Sequence, residues 1–585
     1  MKTKLLAPLF VLVSLAIYGS TLQYDFVEID DGGQVLQNPF LDSLSWSNLV
    51  GMFSSATVGM YQPLTTFLFA LLSQLFGREA ATPFHMLSLG LHVGNTMLVW
   101  ALGKRLFQQA PLALVLALLF AVHPLAVEVV CWVSATSTLL FTSFFLIGML
   151  TYERYLAEAQ PKHYVATLLA FTLGCLAKVQ MLPFVGVLFL LDALREDQWI
   201  VRKRLVQKLP FVLIAAIFSF VSLQFRGGQS GFIGDYAPQL LTPGQITWYI
   251  WKAFVPLKLG IVYDWPKSPL NAWTIGSLLA LPGLAWGIWR LRANKLVVFG
   301  GLFFLGNIIL HTAVATTFLG PVADRYGYLS LLGVWVAILG LLPKAKPAPN
   351  LLPIAALPLL ILAGLSYAQT RHWQSTIALW TNNLEHQEST FSNGMRGALY
   401  YQRGQFPRAR QDFERFDAQP DPRFEPEKYS YLYTALGVMT TDAEPENSLR
   451  YFKLAAKWLP KPEALENVAI AAKKLGQFGE AEEYYLACLE ANPSLSNYTN
   501  LSSLYFESQQ FSKGEAIMTE AIEAGLTDIL LYKMRCFFRL QTGDIAGAQQ
   551  DFERAMTLYN QESQAAPDPI LESLQVQLLT VLKAQ

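Results

Sequence analysis

Charge is scarce in this 585-residue chain: Asp, Glu, Lys and Arg make up 15% of the residues, whereas hydrophobic residues make up 53%. Soluble globular chains carry about a quarter charged residues, so much of this surface must face an apolar medium. The formal net charge is zero, and no basic excess indicates nucleic-acid binding. The sequence therefore predicts a membrane protein without a nucleic-acid partner.

Cysteine is also rare. The four cysteines are scattered along the chain: Cys131, Cys175, Cys488 and Cys536. None of them shows metal-ligand spacing, and we interpret all four as small buried apolar residues. We therefore expect no metal site and no resident cofactor.

What the chain does contain falls into two parts. Residues 1–370 hold long apolar runs, whereas residues 371–585 are rich in Glu, Lys, Arg and Gln. This contrast predicts an all-α protein with two domains: a polytopic membrane domain over 1–370 and a soluble helical domain over 371–585.

A helix needs about 20 apolar residues to cross the hydrocarbon, and by this measure we predict about 11 spans. The predicted spans are 5–22, 84–103, 108–125, 136–153, 163–178, 180–194, 209–225, 273–290, 296–312, 327–342 and 350–367. Two further apolar stretches, 60–77 and 246–262, are interpreted as interfacial or re-entrant helices. Residues 5–18 could instead be a signal peptide.

Lysine and arginine in the short loops set the predicted orientation. Basic residues occupy alternate loops of the predicted path: Lys2, Lys4, Lys104, Arg105, Arg154, Lys162, Arg195, Arg202, Lys203, Arg204, Lys208, Arg290, Arg292, Lys295, Lys344 and Lys346. These loops are therefore expected to be cytoplasmic. The opposite loops and the soluble domain are expected to be extracytoplasmic, in a bacterial inner membrane or, in a eukaryote, facing the lumen of the endoplasmic reticulum.

A repeat appears in the soluble part. Small residues anchor one pattern at Ala409, Ser448, Ala481, Gly514 and Ala548, with spacings of 39, 33, 33 and 34 residues. This is the tetratricopeptide period, and it predicts helix pairs that stack into an α-solenoid. We expect the groove of the solenoid to bind a protein or peptide.

Ionisable side chains lie at the predicted outer ends of the spans, where charge is costly and usually functional. The candidate residues are Asp30, Asp31, His123, Glu128, Lys178, Asp324, Arg325 and Tyr326. Most of them have a structural alternative: a turn for Asp30 and Asp31, a helix end for His123, an interfacial position for Lys178, and an ion pair between Asp324 and Arg325. Their position on one face predicts a single outward-facing site.

The residue types indicate a chemistry. One carboxylate of the Asp30–Asp31 pair could act as general base on an acceptor hydroxyl, while Lys178 and Arg325 bind a lipid phosphate. His123 could donate to the same phosphate or orient a carboxylate. A sugar on a lipid phosphate would then be displaced with inversion. Glu128, Asp324 and Tyr326 are expected to support the site, and the adjacent glycines at 32–33 favour Asp31 as the base.

Short motifs follow one another in a distinctive order: Phe26-Val-Glu-Ile-Asp30-Asp31, Asn38-Pro39, Gln62-Pro-Leu-Thr65, Leu75-Phe-Gly77, His85, His92-Val-Gly-Asn95, His123-Pro-Leu-Ala-Val-Glu128, Trp132, Leu176-Ala-Lys178, Ala323-Asp-Arg-Tyr326, Tyr328-Leu and Arg371-His-Trp373. In this order, and with repeats attached, the chain resembles the transmembrane-and-tetratricopeptide-repeat (TMTC-type) proteins. These proteins are relatives of the protein O-mannosyltransferases in the GT-C glycosyltransferase class.

The resemblance implies a GT-C-like membrane domain that transfers a mannose-like sugar from a polyprenyl-phosphate donor to a protein hydroxyl. It also implies that the acidic pair, Asp30 and Asp31, is catalytic. The chain departs from the family at Ser134-Ala-Thr-Ser-Thr138, where relatives usually carry charged residues. The departure favours the competing interpretation, a non-enzymatic membrane-anchored scaffold whose repeats bind an envelope or secreted protein. The leading interpretation remains the enzyme, which is favoured by the charged residues that the chain retains: Asp30, Asp31, Lys178 and Arg325.

Overall fold

Helices account for almost all the regular structure of the protein, for which we have a computed structural model. The structure describes residues 6–196, 202–225, 241–264, 266, 268–311, 320–342, 351–561 and 568–584. Over these residues no β-sheet forms, and Thr57 and Met60 make an isolated bridge. The predicted all-α class is therefore confirmed.

Contacts divide the chain into two compact units, Met1–Ser392 and Asn393–Gln585. The sequence placed the domain boundary at residue 370, but helix Thr376–His386 packs within the first unit. Its Asn382 donates to the backbone carbonyl of Leu259 at 3.0 Å. The amphipathic character of this helix made it look like the first element of the repeats.

The first unit contains the apolar helices. In chain order they are α1 Leu6–Tyr18, α2 Trp46–Ser54, α3 Pro63–Phe76, α4 Ala81–Phe107, α5 Ala110–Val122, α6 Val127–Cys131, α7 Thr136–Glu158, α8 Pro161–Ala177, α9 Phe184–Glu196, α10 Arg202–Phe225, α11 Thr242–Phe254, α12 Ala272–Arg290, α13 Lys295–Ile309, α14 Gly327–Gly340, α15 Leu351–Thr370 and α16 Thr376–His386. Each predicted span falls on one of these helices. The predicted basic residues Lys2, Lys4, Lys344 and Lys346 lie outside the described residues.

The predicted count of about 11 spans is not confirmed. Within the described residues, 6 helices are long and apolar enough to cross a membrane, or up to 7 if the bent pair α5 and Pro124–Cys131 is one span. Helices such as α9 and α14 have 13 and 14 residues, fewer than the about 20 that a bilayer requires. The other predicted spans fall on shorter apolar helices of the same unit, as far as the described residues extend.

Apolar side chains on the outside of several long helices indicate contact with lipid. On α15, for example, Ile354, Leu357 and Leu360 are each about 70% exposed. Inside the unit, helices approach closely where side chains are small. A Cβ on Gly300 of α13 would lie within 2.3 Å of the carbonyl oxygen of Gly333 on α14, so this crossing requires glycine.

Buried polar residues join the long helices to one another. His92 of α4 contacts the Tyr328 hydroxyl at 2.9 Å, and Asn95 donates to the carbonyl of Leu139 at 3.0 Å. A polar group in an apolar interior costs free energy unless it is hydrogen-bonded, so these bonds fix helix register.

The second unit consists of paired helices. They are α17 Thr390–Gln402, which begins in the first unit, α18 Phe406–Ala418, α19 Pro426–Thr440, α20 Pro445–Trp458, α21 Pro462–Lys474, α22 Phe478–Ala491, α23 Leu495–Glu507, α24 Phe511–Glu523, α25 Ile529–Thr542, α26 Ile545–Gln561 and α27 Pro569–Ala584. The predicted anchors Ala409, Ala481 and Ala548 are fully buried, as close helix packing requires. The pattern therefore predicted the repeat helices correctly.

Candidate functional site

The carboxylate of Asp31 is fully engaged by protein groups. Its Oδ2 accepts a hydrogen bond from the backbone N–H of Val27 at 2.9 Å, and its Oδ1 accepts from the N–H of Ser134 at 2.8 Å and from the Ser134 hydroxyl. The side chain is 1% exposed, and burial raises the pKa of Asp31 to about 6, against the effect of these donors. Asp31 therefore ties the first loop to the turn Val133–Ala135. This arrangement does not fit the expectation that Asp31 is the base.

Asp30 has a different environment from its neighbour. It is half-buried, and no donor among the described residues bonds its carboxylate. Burial raises the pKa of Asp30, whereas the positive charges of Arg325 and Lys178 lower it. A carboxylate that is open to a ligand and lies near two cations is suited to accept a proton from a substrate.

Lys178 lies at the C-terminal end of α8 and points into the protein. Its side chain is buried, and its Nζ donates to the Thr138 hydroxyl at 2.8 Å. The ammonium group lies within electrostatic range of the carboxylates of Asp30 and Glu128, which attract it, and of Arg325, which repels it. An ammonium group has three N–H donors, so the bond to Thr138 leaves capacity for an anionic ligand.

Arg325 and Glu128 form a buried ion pair. The guanidinium Nη1 lies 2.6 Å from Glu128 Oε1, and the backbone N–H of Arg325 donates to Glu128 Oε2 at 2.7 Å. The guanidinium also lies over the rings of Trp132 and Tyr326, at 5.5 and 5.0 Å from their centroids. Arg325 therefore pairs with Glu128, whereas the structural alternative from the sequence paired it with Asp324. Because guanidinium has five N–H donors, this pairing still permits phosphate binding.

Asp324 supports the turn that carries Arg325. The hydroxyl of Tyr263 donates to Asp324 Oδ1 at 2.7 Å. The hydroxyl of Tyr249 donates to the carbonyl of Ala323 at 2.9 Å and accepts from its N–H at 3.0 Å. Two tyrosines from outside the turn therefore hold it in place.

His123 does not fit its expected phosphate-binding role. Its Nε2 is 3.2 Å from the carbonyl oxygen of Ala253, and its Nδ1 accepts from the N–H of Leu125 at 3.2 Å. Both ring nitrogens are thus used by the backbone, and the side chain is 4% exposed. The imidazole joins the break between α5 and α6 to the end of α11, which is the structural alternative for this residue.

The sequence interpretation missed two residues next to the cations. His311 follows α13, and its ring stacks on Tyr326 with centroids 4.0 Å apart and planes 9° apart. The amide Nε2 of Gln180 lies 3.3 Å from His311 Nδ1. A histidine at the predicted outer end of an apolar span was a signal that could have identified it.

These groups form one cluster of opposite charges at three turns. Asp30 is held in the first loop, Lys178 follows α8, and Arg325 precedes α14. Such a cluster can bind an anion with its cations and take up a proton with its open carboxylate. No group of three His, Cys, Asp or Glu residues suited to a metal ion occurs within the described ranges.

Comparisons with known proteins match two regions of the chain. The family model of dolichyl-phosphate-mannose-protein mannosyltransferases matches residues 61–224, which include Glu128 and Lys178. A tetratricopeptide-repeat model matches residues 462–495. The resemblance predicted from the motifs is therefore confirmed as a similarity: part of the first unit matches a mannosyltransferase model, and part of the second unit matches a tetratricopeptide-repeat model.

Each match to a curated relative covers only a part of this chain and a smaller part of the relative. Human protein O-mannosyl-transferase TMTC1 is 32% identical over 162 residues, which are 26% of this chain and 18% of that protein. The Caenorhabditis elegans protein O-mannosyl-transferase F38B6.6 is 31% identical over 162 residues, 25% of this chain and 23% of that protein. Drosophila melanogaster protein O-mannosyl-transferase Tmtc2 is 26% identical over 315 residues, 48% of this chain and 33% of that protein. The chain thus matches a third or less of each relative.

Solved structures add little. BtubC from P. vanneervenii is 19% identical, covering 34% of this chain and 89% of that chain with a TM-score of 0.25. The Cut9–Hcn1 assembly of the APC/C is 10% identical, covering 92% of this chain and 99% of that chain with a TM-score of 0.26. Scores this low carry no argument about the fold.

Proposed function

We propose that this protein is an inverting glycosyltransferase that moves a mannose-like sugar from a polyprenyl-phosphate donor to a protein hydroxyl. The observation that carries the proposal is the open carboxylate of Asp30 within electrostatic range of Lys178 and Arg325. The similarity to protein O-mannosyl-transferases supports glycosyl transfer as the reaction class. The apolar helices are suited to a lipid bilayer, which is also the medium in which a polyprenyl chain dissolves.

In the proposed reaction Asp30 is the general base. Lys178 and Arg325 bind the donor phosphate, and Asp30 removes the proton of the acceptor hydroxyl as its oxygen attacks the anomeric carbon. The bond from that carbon to the phosphate oxygen breaks, and its electron pair stays on the phosphate. Attack opposite the leaving group inverts the anomeric configuration. Asp31 holds the loop that carries the base and takes no proton from the substrate.

The basic-loop pattern supports an extracytoplasmic location for this reaction and for the repeats, in a bacterial inner membrane. In this arrangement the donor lies in the bilayer with its phosphate at the outer surface. The repeats recognise the protein or peptide acceptor, as solenoids with concave grooves commonly do. Both parts of the chain then act on the same side of the membrane.

The test is transfer of sugar from a synthetic polyprenyl-phosphate donor to a secreted acceptor protein by purified variants. Asp30→Asn keeps the shape of the side chain but removes the base, and should reduce the rate by about 10²–10⁴-fold while donor binding is retained. Asp25→Asn, the same change at an exposed position of the same loop, should leave the rate unchanged. Full activity of Asp30→Asn would reject its role as the base.

The scaffold interpretation predicts a different result. A scaffold would show no transfer in the wild-type protein with any lipid donor, and Asp30→Asn would leave capture of its partner protein intact. Charge changes on the repeats would abolish that capture. Transfer that depends on Asp30 excludes a scaffold without catalysis.

A further inference from the structure

One buried histidine contacts both of the turns that carry the cations. His311 is 7% exposed, and its ring lies flat on Tyr326, the residue after Arg325. Its Nδ1 is bonded by Gln180, two residues after Lys178. The imidazole therefore bridges two segments that are far apart in the sequence, at the place where their positive charges meet.

The amide nitrogen of Gln180 faces Nδ1 of His311, and this contact favours one tautomer of the neutral ring. The amide Nε2 of Gln180 is a donor, so His311 Nδ1 accepts and the proton of the neutral ring is on Nε2. Burial of the ring and the charges of Lys178 and Arg325 together oppose a positive charge on the imidazole. The neutral ring presents one N–H donor, and no residue in the described part of the chain accepts it.

The Nε2–H group is thus a donor that remains available to a ligand. Since the ring lies within electrostatic range of two cations, Lys178 and Arg325, a ligand that binds there should be an anion with acceptor oxygens. We propose that His311 Nε2–H binds the phosphate of the polyprenyl-phosphate donor, an inference that rests on the proposed function.

This hydrogen bond would also contribute to the reaction. When the bond from the anomeric carbon to phosphate breaks, the electron pair moves to the phosphate oxygen, which gains negative charge. A donor at that oxygen binds more strongly in the transition state than in the ground state. His311 gives up no proton in this step, because the acceptor proton goes to Asp30. The imidazole stabilises the leaving phosphate by hydrogen bonding alone.

The experiment measures binding of a polyprenyl phosphate to purified full-length protein and its variants. His311→Phe keeps an aromatic ring against Tyr326 but lacks the donor, and should weaken binding about 10-fold or more. His311→Gln places an amide N–H near the position of Nε2 and should restore binding to within about 3-fold of wild type. Gln180→Leu removes the group that sets the tautomer and should weaken binding to an intermediate degree.

Two probes separate the phosphate from the lipid chain. The uncharged polyprenol should bind wild type and His311→Phe equally, whereas inorganic phosphate should compete with polyprenyl phosphate less effectively in His311→Phe. Equal binding of polyprenyl phosphate by wild type, His311→Phe and Gln180→Leu would overturn the role of His311 and leave the proposed function standing. A wild-type protein that binds no polyprenyl phosphate would reject both.

Discussion

Replacing Asp31 by Asn should change the stability of the first loop in a pH-dependent way. The carboxylate accepts hydrogen bonds from Val27 and Ser134, but its burial raises its pKa from the ordinary 3.8 to about 6. Local opening of the loop exposes the carboxylate and returns its pKa to the ordinary value. The closed state therefore binds a proton more tightly than the open state, and lowering the pH stabilises the closed loop.

The size of the effect follows from the two pKa values of Asp31. A pKa shift of one unit corresponds to about 1.4 kcal/mol, so a rise of the Asp31 pKa from 3.8 to about 6 changes the free energy of loop opening by about 3 kcal/mol in full. Between pH 7 and pH 5 the wild-type loop should gain about 1.3 kcal/mol, or about 10-fold in its opening equilibrium. Below the ordinary pKa the gain should level off. Asp31→Asn has no carboxyl group to titrate and should lose this dependence.

Hydrogen exchange with mass spectrometry of peptides covering residues 24–36 and 130–136 measures this opening. Comparing wild type with Asp31→Asn at each pH cancels the intrinsic pH dependence of exchange, and Asp25→Asn serves as the control on the exposed part of the loop. At pH 7 the Asn variant should also exchange faster, because its NH₂ group cannot accept from one of the backbone donors. A difference between wild type and Asp31→Asn that stays constant from pH 7 to pH 5 would refute the reasoning.

Two further predictions concern topology and the repeats. The Asp442 side chain is 96% exposed, and Asp442→Cys should react with a membrane-impermeant thiol reagent in intact spheroplasts, whereas Lys162→Cys should react only after permeabilisation. The reverse pattern would show the opposite orientation. The four native cysteines are buried and should not react. Gly514→Ala should destabilise the repeats by about 1–3 kcal/mol, because a Cβ there would lie 2.4 Å from the Phe538 ring. Gly479→Ala, with no atom within 4 Å of the added Cβ, should be neutral or stabilising in the same proteolysis assay, and equal effects would contradict the packing argument.

The sequence predicted elements better than it predicted spans. Apolar runs and the period of the repeats identify helices because both are local properties of the chain. Whether a helix crosses the bilayer also depends on its length and on its neighbours. α9 has 13 residues in a region where hydropathy alone predicted a full span.

The sequence grouped the charged residues of the candidate site on one predicted side of the membrane, but it did not predict the partner of each side chain. The alternation of basic loops placed Asp30, Lys178 and Arg325 on the same predicted side, and the structure brings their charges within range of one another. The partner of each side chain depends on contacts between distant segments, such as the bond between Asp31 and Ser134 across 103 residues. A single sequence contains no signal for such a pairing. His311 was missed for the same reason, because its role depends on partners in two other segments.

The opposite roles of the two adjacent aspartates follow from the backbone between them. Asp31 has helical dihedral angles, φ −62° and ψ −31°. Successive side chains on a helical backbone point about 100° apart, so two neighbours cannot both face the same group. Because the turn at Ser134 holds Asp31, Asp30 must point in another direction, and the charges that act on it are those of Lys178 and Arg325. An acidic pair at this position therefore provides one anchor and one open carboxylate, and exchanging their roles would require the loop to rotate away from Ser134.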